Sequence, residues 1–404
     1  MMSTEAGRAS GSTLRIAVLN PWGRTGSYGG PVVLSRVLFP VVRRSPGVLI
    51  DLFTWARSSN GDPKWADRHV RVPRLLGLFP GDISGLLWGV WAGLSLRRIR
   101  RTVDIVYLHG TYLPNLVAAR LSGMPEGTFA ALPVLERGDL QATRRTKSRL
   151  LHWVVSRLRV GFALSAGIER ELLALGVAAE KIVRIGNPVS TEVFAGAANT
   201  PSREDTATLR IGFVGKVGPV KRPDLVVRAV GALARSGVET TVVFAGPFSD
   251  SGYEQHLSAI IDEEDVADRV TISGFVSDIA SVLAHVDVLA LPSSAEGMPG
   301  ALAEAMVAGV PAIVTDVGAM GEHVSAAEAG FVIEPTVAAL TSALETLARD
   351  PALRASLAAH ARAYGITTFA DHAVADRFLD ALHTHPVLHH SETSGPERNH
   401  EPRV

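Results

Sequence analysis

The chain has 404 residues, 47% of them apolar, so it can bury about two ordinary domain cores and is not a disordered protein. It contains no cysteine, which excludes disulfides and thiolate metal sites and agrees with a cytoplasmic location. Its formal net charge is zero, but residues 1–190 hold 26 basic and 12 acidic side chains, whereas residues 191–404 hold 14 and 28.

This uneven charge indicates two separate domains. A basic first domain could bind anionic lipid, nucleic acid or a phosphorylated substrate. The alternative explanation of the charge difference is that the two oppositely charged domains attract each other. The opening residues, MMSTEAGRASGST, lack the apolar core of a secretion signal, and no apolar run reaches the roughly 18 residues of a spanning helix. We therefore expect a cytoplasmic protein that does not cross the membrane.

Short β-rich runs alternate with helical patterns in both halves, as a parallel sheet with crossover helices requires. The predicted strands of the first half are 14–20, 48–55, 104–110 and 160–166. Those of the second half are 209–215, 240–246, 269–276, 287–292 and 312–316. The pattern predicts an α/β fold of two doubly wound, Rossmann-like domains, joined by the polar stretch 195–208.

A glycine-rich segment, PWGRTGSYGGP (21–31), follows the first predicted strand. Gly29 and Gly30 lack side chains, so backbone N–H groups and a helix N-terminus can approach a phosphate or a sugar closely there. The segment is not a dinucleotide fingerprint, because it lacks GxGxxG and no acidic residue closes the next strand at the expected place. Ligand binding and a plain turn both explain the two glycines.

Two basic amphipathic segments lie in the first half, GLLWGVWAGLSLRRIRR (85–101) and RRTKSRLLHWVVSRLR (144–159). Each mixes tryptophan and leucine with clustered arginine, as surface helices that bind anionic lipid do. A packed helix with one solvated face gives the same pattern. Peripheral association with an anionic membrane is therefore a hypothesis that stands beside the packed-helix alternative.

The second half opens with FVGKVGPVKRPD (213–224), in which Lys216 and Lys221 follow the first strand of that half and Gly215 precedes them. Ligands of open α/β sheets bind beyond the carboxyl ends of the strands. Two cations there can neutralise a diphosphate and stabilise the charge that grows as a bond to it breaks. Two solvated loop lysines are the alternative, and a Walker loop is excluded because no GK[ST] follows.

The stretch AEGMPGALAEAM (295–306) places Glu296 in a loop and Glu304 eight residues later in an apolar helix. Eight helical residues span about 12 Å, which suits opposite ends of one elongated ligand better than a shared metal. Amides of the segment from Gly297 to Gly300 can meet a diphosphate at the helix N-terminus. Sugar, diphosphate and ribose fit that order, and a capping glutamate with a surface carboxylate is the alternative.

The ordered set SSAEGMPGALAEAMVAGVPAIVTDVGAMGEHV, GKVGPVKRPDLVVRAV and KIVRIGNPVSTEVF resembles the family 4 glycosyltransferases of the two-domain GT-B fold. The resemblance implies a retaining, metal-independent enzyme without a cofactor, which uses a nucleotide-diphosphate sugar as donor substrate. It implies an acceptor-side domain over 14–190 and a donor-binding domain over 191–365. A C-terminal helix over 366–385 is expected to pack back toward the first domain, with flexible ends at 1–13 and 386–404.

The resemblance also assigns roles to charged residues of the second half. Lys216 stands where the family usually has arginine, and Lys221 matches its lysine, so the two would grip the diphosphate. Lysine is a point charge and lacks the planar fork of arginine. Glu296 would bind hydroxyls of the transferred sugar, and Glu304 would bind the ribose.

Other positions match the family or depart from it. Met298-Pro299 replaces Phe-Gly, and because proline has no N–H, phosphate contacts would come from Met298, Gly300 or Ala301. His109 matches a histidine that faces the transfer site, with a buried core histidine as the alternative. The matching positions of the first half also include Gly29 and Gly30 in a glycine loop and Glu136–Asp139 on the acceptor side.

The favoured function is sugar transfer in polysaccharide, glycolipid or other glycoconjugate biosynthesis, to a saccharide or lipid-linked acceptor. The alternatives are a nucleotide-sugar 2-epimerase of the same fold and a non-catalytic protein that binds sugar nucleotides. A nicotinamide oxidoreductase would need the missing phosphate fingerprint. Nucleic acid is not expected as a partner, because only the charge of the first half supports it.

Overall fold

The computed structural model describes residues 13–20, 30–55, 64–73, 76, 81–132, 145–195 and 208–384. The strands of the first sheet are β1 Leu14–Leu19, β2 Val48–Trp55, β3 Arg68–Val72, β4 Ile105–His109, β5 Phe129–Leu132, β6 Leu158–Ala163 and β7 Ile182–Arg184. Those of the second sheet are β8 Leu209–Val214, β9 Thr240–Ala245, β10 Val270–Gly274, β11 Val288–Leu291, β12 Ala312–Thr315 and β13 Gly330–Ile333.

The two sheets share one topology. The first has the order β3-β2-β1-β4-β5-β6-β7 and the second β10-β9-β8-β11-β12-β13, with parallel pairing throughout. The strand order reverses between β1 and β4, and again between β8 and β11, which leaves a crevice at the carboxyl ends of these strands. The prediction of two Rossmann-like, doubly wound units is confirmed.

Helices cover both faces of each sheet. Those of the first half are α1 Gly30–Arg44, α2 Gly81–Ile99, α3 Leu113–Ser122, α4 Arg145–Val155, α5 Ala166–Ala174 and α6 Thr191–Phe194. Those of the second half are α7 Pro223–Arg235, α8 Ser251–Glu263, α9 Ile279–Ala284, α10 Gly300–Val307, α11 Met320–Ala327, α12 Val337–Arg349, α13 Pro351–Phe369 and α14 Asp371–Thr384. Short 3-10 turns lie at Arg100–Thr102, Ala179–Lys181 and Ala267–Arg269.

The described chain contains four strands that the sequence patterns did not predict: β3, β5, β7 and β13. Three of them are short or charged edge strands, and edge strands carry weak apolar patterns because one side faces solvent. The fourth, β5, reads FAAL, and alanine favours helices rather than strands. The central strands were predicted because burial on both faces produces continuous apolar runs.

The last helix returns to the first sheet. Phe378 of α14 is fully buried, and its ring lies 4.9 Å from that of Phe162 and 5.3 Å from that of Tyr107. This helix also packs against α1. Helix α14 therefore completes the core on one face of the first sheet.

The chain crosses from one domain to the other twice, and the two crossing segments lie next to each other. Val189 forms a parallel bridge with Ala370, in which the Val189 N–H donates to the Phe369 carbonyl at 2.7 Å and the Asp371 N–H donates to the Val189 carbonyl at 2.9 Å. The two crossings are thus held side by side by backbone hydrogen bonds. The expected tail 386–404, the first 12 residues and linker residues 196–207 lie outside the described ranges.

No helix within the described ranges combines the length and the apolar content that a membrane span needs.

Candidate active site

The carboxyl edge of the second sheet is built around two glycines. Gly215 follows β8 with a φ of 137°, and Gly246 follows β9. A Cβ on Gly246 would lie 1.9 Å from the Gly215 carbonyl oxygen, so only glycine lets the two strand ends pass this closely. Gly215 was a candidate from the sequence, whereas Gly246 was not, although TTVVFAG ends on it.

Lys221 lies over Gly215 and forms an ion pair with Glu296. A Cβ on Gly215 would be 3.5 Å from the Lys221 ammonium, and the ammonium contacts Glu296 Oε1. The two side chains are 19% and 13% exposed. The sequence placed both residues at this edge but assigned them to different parts of a donor, so their pairing is a finding of the structure.

The loop that carries Glu296 is tied to the Lys221 loop and to β12. Ser293 Oγ donates to Glu296 Oε1 at 3.1 Å, and Thr315 Oγ1 donates to the Ser293 carbonyl at 2.6 Å. The Ser294 N–H donates to the Val220 carbonyl at 2.8 Å. These bonds hold the carboxylate of Glu296 before any ligand binds, and Ser293 was not among the predicted site residues.

The segment after Glu296 leads into α10 at Gly300. The Ala319 N–H donates to the Gly297 carbonyl at 2.8 Å, and a Cβ on Gly318 would lie 2.1 Å from that oxygen. A Cβ on Gly297 would meet no described atom within 4 Å, so the segment faces open space on its other side. Pro299 is the N-cap and makes no side-chain hydrogen bond; the Leu302 N–H donates to its carbonyl at 3.2 Å, and the N–H groups of Gly300 and Ala301 have no partner among the described residues.

Glu304 lies inside α10, with its side chain directed back toward the helix N-terminus. A Cβ on Gly300 would lie 3.9 Å from Glu304 Oε1. The residue keeps some accessible surface, but the surrounding protein removes water from the carboxyl and raises its pKa to about 7. Among the described residues it has neither a hydrogen bond nor an ion pair, so its oxygens are available to a ligand.

Lys216 lies apart from the Lys221–Glu296 pair. It is exposed, and its charge acts weakly on Asp250, the N-cap of α8. The pKa of Asp250 is lowered first by the Tyr253 N–H and then by the Ser249 hydroxyl, with the charge of Lys216 as a weaker cause. The structure therefore separates the two lysines that the sequence treated as one diphosphate grip.

Across the crevice, the first sheet contributes His109. It is the last residue of β4, fully buried, and its ring lies 5.9 Å from that of Tyr107. Gly110 follows with a φ of 90°, and Asn115 Nδ2 donates to the carbonyls of His109 and Gly110 at 3.2 and 2.8 Å. Asn115, which fixes this turn, was not predicted from the sequence.

The structure describes only some of the other site residues predicted in the first half. Gly30 begins α1, as a helix N-terminus after the glycine loop requires. Gly29 and Glu136–Asp139 lie outside the described residues. Among the described residues, no three His, Asp, Glu or Cys side chains gather closely enough to hold a metal ion.

One side chain reaches from the domain crossing into the site. Asn187 Nδ2 donates to the Met298 carbonyl at 2.7 Å, a contact between residues 111 positions apart. Met298 is buried. Because Asn187 follows the last strand of the first sheet, the Met298 carbonyl is held from the side of that sheet. Asn187 lies in the segment KIVRIGNPVSTEVF, which carries part of the family resemblance, but the sequence did not predict this bond.

Two parallel doubly wound sheets that face each other across a crevice, with charged side chains on the edge of the second, define a GT-B fold. HepE of Anabaena, solved in complex with UDP, has a TM-score of 0.70 to this structure at 18% identity, over 92% of this chain and 100% of that one. The likeness confirms the fold.

Comparison of sequences shows that the chain is similar to known glycosyltransferases. Residues 199–364 match the family described as glycosyl transferases group 1. D-inositol 3-phosphate glycosyltransferase of Kineococcus radiotolerans is 29% identical over 407 residues, covering 88% of this chain and 92% of that protein. 2-Deoxystreptamine glucosyltransferase of Streptomyces kanamyceticus is 27% identical over 305 residues, covering 69% and 76%. The second half of the chain is thus similar to the group 1 glycosyltransferases, and the two relatives extend that similarity into the first half.

Proposed function

We propose that the protein is a retaining glycosyltransferase, of the family 4 type, that moves a sugar from a nucleotide-diphosphate sugar to an acceptor hydroxyl. The observation that carries the proposal is the Lys221–Glu296 pair, held over Gly215 and beside the N-terminus of α10. Cation, carboxylate and free helix amides together suit a sugar diphosphate. The UDP named in the HepE structure supports a nucleotide as part of the donor.

In this proposal the donor lies along the carboxyl edge of the second sheet. Glu304 binds the ribose, the amides of the loop before α10 and the ammonium of Lys221 bind the diphosphate, and Glu296 binds hydroxyls of the sugar. The resting ion pair holds Lys221 and Glu296 in place before the donor arrives, which reduces the cost of ordering them. Donor binding then replaces part of that contact with contacts to the ligand.

The transfer step breaks the bond between the anomeric carbon and the diphosphate oxygen, and the electron pair stays on the diphosphate. Lys221 and the loop amides stabilise that charge, and Lys216 would join them only if its loop turned toward the donor. The acceptor hydroxyl oxygen bonds to the anomeric carbon on the same face, and its proton passes to the departing phosphate oxygen. His109 is fully buried at the end of β4, so a role beside the sugar requires that donor binding uncover its ring. No metal ion or cofactor takes part in the proposed step.

The acceptor is proposed to be a saccharide or a lipid-linked saccharide, and the pathway polysaccharide, glycolipid or other glycoconjugate synthesis. The names of the relatives support a hydroxyl acceptor, since one acts on 2-deoxystreptamine and the other on inositol phosphate. The basic first half suits an acceptor that carries phosphate or lies at an anionic surface. The proposed location is the cytoplasm.

A two-stage experiment tests the proposal. First, a panel of nucleotide-diphosphate sugars is screened by thermal shift, because a donor at 100 times its Kd stabilises the fold by about 2.7 kcal/mol. Second, the best donor is incubated with candidate acceptors, with and without a chelator, and the products are analysed.

Release of nucleoside diphosphate with a glycosylated acceptor of unchanged anomeric configuration supports the proposal, and equal rates with the chelator support metal independence. An isomerised donor sugar would instead show an epimerase. Donor binding without any turnover across the acceptor panel would indicate a binding protein, and an inverted product would overturn the retaining mechanism.

A further inference from the structure

The solvent-facing side of α2 carries a stripe of apolar side chains. Ile83, Leu86, Val90 and Leu94 are 52%, 44%, 36% and 47% exposed. Their spacing of three, four and four residues places them on one face of the helix. A contiguous apolar stripe on a protein surface marks a site of interaction with another molecule or with a membrane.

The opposite side of α2 is firmly packed. Trp88, Ala92 and Leu96 are fully buried. A Cβ on Gly89 would lie 2.5 Å from the Pro114 carbonyl oxygen, and a Cβ on Gly93 would lie 2.8 Å from that of Ala118. Because the two helix backbones meet this closely, α2 cannot rotate to bury its outer stripe, so the stripe is a fixed feature of the surface.

Exposed arginines adjoin the C-terminal end of this stripe. They occupy the last turn of α2 and the following 3-10 turn: Arg97, Arg98, Arg100 and Arg101. None of the four forms an ion pair within the described part of the chain. Arg120 on α3 and Arg149 on α4 are also exposed; α3 packs against α2, and α4 packs against α3. The apolar stripe therefore has an unpaired cationic border.

The second basic segment, 144–159, differs from α2 in what it does with its apolar residues. Leu151, Val154 and Val155 of α4 are buried in the core. Trp153 is covered by the guanidinium groups of Arg120 and Arg157, at 5.0 and 4.6 Å from its ring centre. The packed-helix alternative thus describes α4, whereas α2 keeps an apolar face toward solvent.

We propose that α2 docks on an anionic membrane surface. The helix lies parallel to the bilayer, the stripe of Ile83, Leu86, Val90 and Leu94 enters the boundary between head groups and acyl chains, and the arginines bind lipid phosphates. Charge complementarity favours this occupant, since a neutral apolar partner would leave four cations without a counter-charge. The inference is independent of the transfer reaction proposed above.

The test is flotation of the full chain with vesicles. The unmodified protein is expected to float with vesicles of phosphatidylcholine and phosphatidylglycerol in equal amounts, and at least about tenfold less with phosphatidylcholine alone. The double variants Leu86→Gln/Leu94→Gln and Arg97→Gln/Arg98→Gln are each expected to lower flotation at least about tenfold. Far-UV circular dichroism and thermal unfolding establish that the variants are folded.

Matched controls come from α5, which lies in the same half. Leu173 is 43% exposed and Arg170 is exposed, so Leu173→Gln and Arg170→Gln alter the same residue types outside the stripe and are expected to float like the unmodified protein. Flotation of the stripe variants at the unmodified level, or none with anionic vesicles, overturns the proposal. So does a dimer that only the stripe variants dissociate, since a second copy would then cover the stripe.

Discussion

The two ends of the second sheet each carry an ion pair, and the two pairs are built differently. At the amino end, Arg210 binds Asp287 with two guanidinium nitrogens, at 3.0 and 2.8 Å, and its backbone N–H donates to the same carboxylate at 2.8 Å. At the carboxyl end, Lys221 and Glu296 make a single contact, between the ammonium and one carboxylate oxygen, beside the open space at Gly297.

The difference separates stability from ligand binding. Asp287 is 3% exposed and has its oxygens satisfied by a planar fork, so nothing remains for a ligand. The first sheet repeats this device, since Arg15 binds both oxygens of the fully buried Asp51 at 3.0 and 3.1 Å. The carboxyl edge instead keeps a single-point pair and an unpaired Glu304. Groups with unused bonding capacity are those that a substrate can recruit.

The largest expected effect is loss of activity at the carboxyl end. Glu296→Gln keeps the shape of the side chain but removes its charge, so the ion pair with Lys221 and the charged acceptor for sugar hydroxyls are both lost. We expect transfer to fall about 10²- to 10³-fold, with thermal unfolding nearly unchanged. Lys221→Ala is expected to cause a loss of the same order, measured as product formed per enzyme.

Glu345→Gln is the matched control, since among the described residues this glutamate pairs only with Arg349, within the same helix α12. Its transfer rate should equal that of the unmodified protein. Full activity of Glu296→Gln would refute the role given to the pair, and unfolding of the variant would show that the pair at this end is structural after all.

The next effect is loss of stability at the amino end. Asp287→Ala leaves Arg210 without its carboxylate and its backbone N–H without an acceptor. Because Arg210 is 19% exposed and regains some water, we expect the free energy of unfolding to fall by about 2–3 kcal/mol rather than more. Urea unfolding measures the loss. Activity per folded molecule should stay unchanged, and a selective loss of transfer would erase the contrast between the two ends.

A smaller, pH-dependent effect is expected at Glu304. Burial raises the pKa of this carboxyl to about 7, so the folded state favours its neutral form. Its contribution is most favourable below the ordinary value near 4.5 and is lost as the pH rises through about 7. Partial exposure reduces the penalty, and we expect Glu304→Gln to be about 1–2 kcal/mol more stable than the unmodified protein at pH 8.

The same variant should show no gain at pH 4 and should bind the donor more weakly at pH 8. Unmodified protein and variant are compared at each pH, because buried His323, whose pKa is lowered to about 4, itself destabilises the fold as the pH falls from about 6.5 to 4. Equal stability of the two proteins at pH 8 would mean that the Glu304 carboxylate is in contact with water. Its burial would then carry no energetic cost.

The sequence predicted the central strands and their carboxyl ends because burial and strand direction leave clear patterns. It could not predict that Lys221 meets Glu296, since that contact depends on β8 and β11 lying side by side, which also brings Ser294 to Val220, 74 positions away. The same limit applies to Ser293, whose hydrogen bond to Glu296 is local but whose orientation is fixed by Thr315 on another strand. Tertiary pairing, not local pattern, decides these partners.

Lys216 shows the opposite limit. In sequence it lies as close to the glycine turn as Lys221 does, and the two were treated as equivalent. In the structure the loop directs Lys216 to solvent near Asp250, whereas the helical turn before α7 returns Lys221 over Gly215. Spacing along a loop does not determine which side chain points into a crevice.

The smallest expected effect tests whether the carboxyl edge is held from the first domain. Asn187→Ala removes the hydrogen bond from Nδ2 to the Met298 carbonyl, which no element of the second sheet replaces among the described residues. One such bond is worth about 1 kcal/mol, so we expect the free energy of unfolding to fall by no more than about that amount and the donor Kd to rise up to about fivefold. Isothermal titration with the donor found in the screen measures the change.

Asn187→Asp sharpens the same test, because it sets a carboxylate oxygen against the Met298 carbonyl in place of an N–H donor. Repulsion should open the loop before α10 further, so its donor Kd should exceed that of Asn187→Ala. If both variants bind the donor like the unmodified protein, the loop is ordered by Ser293, Thr315 and Ala319 alone. The carboxyl end of the second sheet would then be held by residues of its own domain, as the Arg210–Asp287 end is. The two ends would differ only in how their charged groups are paired.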